Sequence, residues 1–172
     1  MGERVFNVLF LGTGNAARSI IAEAILNREG GGRFRAYSAG VRPTGRVDPL
    51  VLKLLAATNY PTEPLRSKSA EAFLHADAPV LDFVFTVCDQ AAEAGDFAWP
   101  GEPMTAHWAL PDLADAGRSE LEQATRLAES MRMINTRVGI FCALPLRSLT
   151  RLALQRRLDA IGASEPSAAG ID

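Results

Sequence analysis

The sequence predicts an α/β fold: a four-stranded parallel sheet flanked by helices, with an extended helical tail. Three observations carry the prediction. Apolar runs such as Val8-Leu9-Phe10-Leu11 and Asp82-Phe83-Val84-Phe85-Thr86-Val87 read as strands buried on both faces. These runs alternate with stretches of helical periodicity, the order that builds a parallel sheet. The first run passes through a short glycine-containing loop straight into an amphipathic stretch.

The elements follow in order. The first strand is expected over Arg4–Leu11 and the first helix over Ser19–Arg28, with Ile20, Ile21, Ala24 and Ile25 on one face. Gly30-Gly31-Gly32 ends that helix. Phe34–Ser38 alternates and reads as the second strand. Pro49–Ala57 reads as a short helix, with Asp48 as N-cap and Pro49 at the first helical position. Ser67 or Ser69 could cap another short helix through Phe73. Asp82–Val87 is the third strand and Thr105–Trp108 a shorter fourth. Ser119–Leu144 carries Leu121, Ala124, Leu127, Met131, Ile134, Val138 and Phe141 at helical spacing. Pro145 breaks it, and Leu146–Ile161 is expected to continue as a basic amphipathic helix.

The 172 residues, 48% of them hydrophobic, suit one domain over 1–172 with a real core, its last residues (163–172) fraying. No apolar run approaches the ~20 residues that span a bilayer. Gly2, Glu3, Arg4 and Asn7 interrupt any signal-peptide core, so a cytoplasmic protein is expected. A net charge of −2 gives no push toward nucleic acid or membrane. The arginines of the tail, Arg147, Arg151, Arg156 and Arg157, read as a solvated face. Cys88 and Cys142 are expected to be free thiols, and His75 and His107 are too few for a zinc pattern.

The segment Gly12-Thr13-Gly14-Asn15-Ala16-Ala17-Arg18-Ser19 carries the chemistry. A strand, a tight loop and a helix start aim backbone N–H groups and the positive end of the helix dipole at one spot. Arg18 adds a two-pronged donor for an oxyanion oxygen. An unliganded turn is the plain alternative, but an arginine at a helix start opposes the dipole unless an anion is present. The loop also matches G-x-G-x-x-A of dinucleotide sites. That motif needs an acidic residue at the end of the second strand; here the strand ends Tyr37-Ser38-Ala39-Gly40, and Glu29 precedes it.

The segment from Val8 to Glu23 closely resembles the phosphate loop (P-loop) of the low-molecular-weight protein tyrosine phosphatase superfamily, nearest its thioredoxin-coupled arsenate reductase branch. The resemblance continues, in the family's order, at Tyr37–Gly40, Leu65-Arg66-Ser67-Lys68-Ser69, Phe85–Asp89, Trp99-Pro100-Gly101 and His107–Asp112. It implies a three-layer phosphatase-like fold and an oxyanion held by Thr13, Gly14, Asn15, Ala16, Ala17, Arg18 and Ser19. In the family, a cysteine thiolate attacks phosphorus or arsenic, an arginine clamps the equatorial oxygens, and an aspartate protonates the leaving group. Arg18 matches the arginine, Asp112 the aspartate, and Ser19 the hydroxyl that supports the thiolate. Asn15, Glu23 and Ser38 match residues around a potassium site; no other cofactor is implied.

Gly12 occupies the nucleophile's position, and Ala16 replaces a usual serine or cysteine. Of the reductases' two further redox cysteines, Cys88 matches the first, a redox candidate, while Gly95 and Asp96 stand near the second. Without a partner thiol Cys88 reads as a plain buried thiol, so thioredoxin coupling is not expected. Cys142 reads as a small buried hydrophobe. His107 reads as a residue that orients a loop, and Trp99 and Trp108 as packing near the site mouth. The expected function is therefore a pseudo-enzyme that binds phosphate, arsenate or sulfate without turning it over; a homodimer is allowed. The alternatives are an active reductase or phosphatase whose cysteine was changed to Gly12, and nucleotide binding through the loop.

Overall fold

The computed structural model describes residues 4–94, 97–111 and 119–164. The strands are β1 (Phe6–Gly12), β2 (Phe34–Gly40), β3 (Phe83–Thr86) and β4 (Met104–His107). The helices are α1 (Arg18–Glu29), α2 (Pro49–Ala57), α3 (Asp89–Glu93), α4 (Glu120–Cys142) and α5 (Arg151–Gly162). The sheet is parallel throughout, in the order β2-β1-β3-β4. This is the α/β architecture that the alternation of elements predicts.

The apolar runs bury both faces of the sheet. On one face Val8, Phe10 and Phe85 meet Ile21 and Ile25 of α1, Val138 and Phe141 of α4, and Leu158 of α5. Phe85 stacks on Trp108 with ring centroids 3.9 Å apart. On the other face Leu9, Leu11, Val84 and Cys88 meet Phe73, Leu81 and Ala91. The coverage is unequal. α1, α2, α4 and α5 all pack on the first face, while the second is covered by α3, a 3-10 turn over Ala70–Phe73, and loop aromatics such as Phe97 and Trp99.

Capping chemistry sets most helix starts. The Asp48 carboxylate accepts the Leu50 N–H at 2.9 Å, with Pro49 next to it, so α2 has the predicted bounds. Ser69, not Ser67, caps the 3-10 turn. Ser119 and Glu122 cap α4 reciprocally. Leu121, counted on the apolar stripe of this helix, is 77% exposed, because the first turn of α4 overhangs the core. The tail helix starts later than its periodicity suggests. Residues 145–149 form turns, and Thr150 accepts the Ala153 N–H at 3.1 Å to start α5. The unpredicted α3 is five residues long, too short to show a period.

α5 guards the edge strand. Gln155 Nε2 donates to the Thr105 carbonyl of β4 at 2.8 Å, and buried Trp108 donates to the Leu158 carbonyl at 3.1 Å. Ala163 and Ser164, where fraying was expected to begin, still bond back to Asp159 and Ile161; residues 165–172 lie outside the described ones. Among the described residues no helix is long and apolar enough to cross a membrane.

The approach of α5 to β4 depends on Gly162. A Cβ there would lie 2.1 Å from the His107 carbonyl oxygen and 2.8 Å from the Trp108 ring. Gly162→Ala should therefore destabilise by about 1–3 kcal/mol through overpacking, although alanine is the better helix former. A urea midpoint at or above the parent's would show that α5 is not seated this closely.

Candidate functional site

The loop 12–17 joins the carboxyl end of β1 to α1, and its orientation is set by where its carbonyls go. The Gly12, Thr13, Gly14 and Ala16 oxygens accept from the N–H groups of Val41, Arg42, Thr44 and Asp48, at 2.9–3.0 Å. The Ser67 hydroxyl adds a second bond to the Gly14 oxygen at 3.2 Å. A peptide unit whose C=O points outward aims its N–H inward. Among the described residues, the N–H groups of Thr13 to Ala17 find no protein acceptor. Such convergent donors at a helix start are what an anion site requires.

Two backbone features permit this path. Asn15 adopts a left-handed conformation, φ 49°, which asparagine tolerates better than most residues. Gly40 lies so close that a Cβ would meet the Thr13 oxygen at 2.6 Å. The end of β2 therefore abuts the loop, and its last four residues, Tyr37, Ser38, Ala39 and Gly40, include no carboxylate for a ribose.

Asn15 is the hub beneath the loop. It is 2% exposed. Its Nδ2 donates to Ser19 Oγ and to Ser38 Oγ, both at 2.9 Å, and its Oδ1 accepts the Lys68 N–H at 2.7 Å. Ser38 in turn donates to Glu23 at 2.6 Å. The residues expected around potassium thus come together, but their oxygens bond to protein donors. The Lys68 ammonium, 3.9 Å from Glu23 Oε1, brings the positive charge. These residues do not suit a potassium ion. Burial dominates both ionisable groups: it raises Glu23, against the lowering pull of Lys68, and it lowers Lys68.

Gly12, expected at the nucleophile's position, has no left-handed φ that would require glycine. A Cβ there would lie 3.2 Å from Ser19 Oγ and 3.5 Å from Val87 Cγ2, a tight fit that small side-chain shifts relieve. Arg18 donates to the Leu110 and Pro111 carbonyls at 3.2 and 3.4 Å, so it reaches the root of the segment that carries Asp112. Asp112 itself lies outside the described residues, as do Gly95 and Asp96. Arg137, 5% exposed, grips the same root from behind by donating to the Ala109 carbonyl at 2.8 Å. Sequence reading missed Arg137. The signal was a charge on the apolar stripe between Ile134 and Phe141.

Cys88 is buried and lies beside the loop, its Sγ 3.0 Å from Thr13 Oγ1. Cys142 is half-buried at the end of α4, and burial raises its thiol pKa. His107 is held between Thr86 Oγ1 (2.7 Å) and Asp89 Oδ1 (2.9 Å), which fits an orienting residue. Trp108 is a buried packing residue, stacked on Phe85.

A family model, described as low molecular weight phosphotyrosine protein phosphatase, matches residues 7–136. The chain is 31% identical over 119 residues to an arsenate reductase of Bacillus cereus (strain Q1), covering 67% of this chain and 83% of that protein. It is 30% identical to an arsenate reductase structure from Archaeoglobus fulgidus, with TM-score 0.57, covering 77% of this chain and 98% of that one. A thioredoxin-dependent arsenate reductase of Corynebacterium glutamicum is 27% identical, with TM-score 0.56; the match covers 81% of this chain and 61% of that longer one.

Because Glu23 is raised in the folded state, its contribution to stability is complete below its ordinary pKa of 4.5 and is lost as pH rises through the folded value. Glu23→Gln should flatten this component, so the variant gains on the parent as pH rises above 4.5. Denaturant titrations at several pH values read the difference; a parallel pair of curves contradicts it. With Lys68 as the resident cation, exchanging potassium for sodium should leave the melting midpoint unchanged, as differential scanning calorimetry would show.

Proposed function

The chain belongs to the low molecular weight phosphotyrosine protein phosphatase family, on its arsenate reductase branch, and on that premise we propose that its first loop binds phosphate, arsenate or sulfate without turning it over. The observation that carries this reading is the inside-out loop. Its carbonyls are tied outward to 41–48 and Ser67, leaving the N–H groups of Thr13 to Ala17 for an oxyanion. None of those donors depends on a thiol. Arg18 supplies charge, and the Ser19 hydroxyl sits beneath position 12. Arsenate reductase relatives act on the oxyanion their name gives, and the loop chemistry suits tetrahedral oxyanions as a class.

Catalysis needs more. Covalent transfer requires a nucleophile in line with the bound centre, and position 12 offers only hydrogen. Thr13 Oγ1 is occupied with Cys88 and Gln90. Ser19 Oγ accepts from Asn15, and among the described residues no histidine or lysine bonds to it as a base. A redox relay fails for a related reason. Cys88 lies beside the loop but has one remaining thiol in the chain to exchange with, Cys142, whose pKa is raised by burial. Thioredoxin coupling is accordingly not part of the proposed function. Asp112 is retained in the proposal as the proton donor for a repaired enzyme.

The tight but passable space at Gly12 favours a second reading: an active family member whose cysteine was changed to glycine. Both readings make the same loop and differ in history; Ala16 and the absent third cysteine favour natural loss.

Calorimetric titration should show phosphate binding that Arg18→Ala weakens by about 10- to 100-fold, the loss of one or two charge-assisted hydrogen bonds. The parent should not hydrolyse p-nitrophenyl phosphate above a buffer blank, whereas Gly12→Cys should regain hydrolysis. Parent turnover that disappears in Arg18→Ala overturns the proposal, and absence of phosphate binding removes its basis.

A further inference from the structure

At the opposite, amino-terminal edge of the sheet lies a second basic recess that the loop chemistry does not use. It has a volume of about 210 Å³ and is bordered by Arg4, Arg33 and Arg147, with Phe6, Leu144 and Pro145 among its apolar walls. No acidic residue lines it among the described residues. This concentration of positive charge stands in a chain whose net charge is −2.

Two of the guanidinium groups, those of Arg4 and Arg33, are held in place, and only Arg4 is paired with a carboxylate. Arg4 rests over the Phe6 ring, 4.8 Å from its centroid, and Arg33 over the Phe34 ring at 5.1 Å. Those two rings are themselves neighbours, with centroids 6.0 Å apart. Stacking of this kind fixes the plane of a guanidinium and lowers the entropy lost on binding. Arg4 is paired with Asp82, whose other oxygen accepts the Asn7 N–H. Arg33 donates to a neutral acceptor, the Cys142 carbonyl, at 2.9 Å. Glu29 pairs with Arg28 rather than with Arg33. Arg147 projects from the turn after α4, where the Ser148 N–H bonds to the Pro145 carbonyl, and its side chain has no partner among the described residues.

We propose that this recess is a binding site for a small polyanion of the diphosphate class, separate from the loop 12–17. Three guanidinium groups around one cavity match a ligand with two or more negative charges and several acceptor oxygens. The volume admits a diphosphate. The apolar wall would add contact with an organic group attached to it.

The test is calorimetric titration of the full chain with inorganic pyrophosphate and, separately, ADP. Arg33→Ala and Arg147→Ala should each weaken pyrophosphate binding at least tenfold while leaving phosphate binding at the loop within twofold. Arg18→Ala should do the reverse. The Arg147 side chain has no hydrogen-bond or ion-pair partner among the described residues, so Arg147→Ala should keep the parent's melting midpoint. Tighter binding of ADP would identify an organic diphosphate held partly by Phe6, Leu144 and Pro145; equal affinity would identify the free diphosphate. No binding at 10 mM on the order of a weak site's range, binding lost only with Arg18→Ala, or binding indifferent to Arg33 and Arg147 overturns the proposal. Failure of the loop to bind phosphate leaves this site standing.

Discussion

The arrangement at the carboxyl edge of the sheet rests on one constraint: every loop carbonyl that turns outward must find a donor. The strap 41–48 supplies four such donors from its own backbone, and Ser67 supplies a fifth. A loop whose carbonyls were unpaired would turn them inward, and their partial negative charges would repel an anion. The identity of the loop side chains matters less than this external scaffold, with the exception of Asn15. Asn15 takes the left-handed turn and joins α1, β2 and the Lys68 backbone through one amide. The amide can do so because it offers donors and an acceptor on a short, stiff stem.

The charges at the site follow from that scaffold. Glu23 and Lys68 lie under the hub, where burial costs each of them and mutual attraction offsets part of the cost. On the other side, Arg18 and Arg137 hold consecutive carbonyls of 109–111. The loop residues 12–18 combine outward carbonyls with one arginine, and none of them is a cysteine.

Much of this was legible in the sequence. The apolar runs and their alternation with helices gave the parallel sheet, because strands buried on both faces have few other ways to be satisfied. Asp48-Pro49 marked α2 because capping is a local matter of two or three residues. The strand–loop–helix order marked the turn 12–17 between β1 and α1 for the same reason. What stayed illegible was non-local. Lys68 is remote in sequence from Glu23, and only the tertiary approach of 62–69 to β2 makes it the resident cation. The late start of α5 was missed because periodicity ran through residues 146–150 while Thr150 and two turns overrode it. The recess at the amino edge needed residues 4, 33 and 147 to converge from three segments, which no spacing rule encodes.

The packing of α5 on β4 has a consequence for the edge of the sheet. The family match stops at residue 136, inside α4, yet the side chain that covers the Thr105 carbonyl and the backbone that receives the Trp108 indole both come later. A chain cut at the family border would present a bare strand edge beside an uncovered tryptophan, the pattern that invites one molecule to add its sheet to another's. The segment after residue 136 thus covers the free edge of β4 and the Trp108 indole. That cover extends along the chain as far as Gly162, which packs against His107 and Trp108.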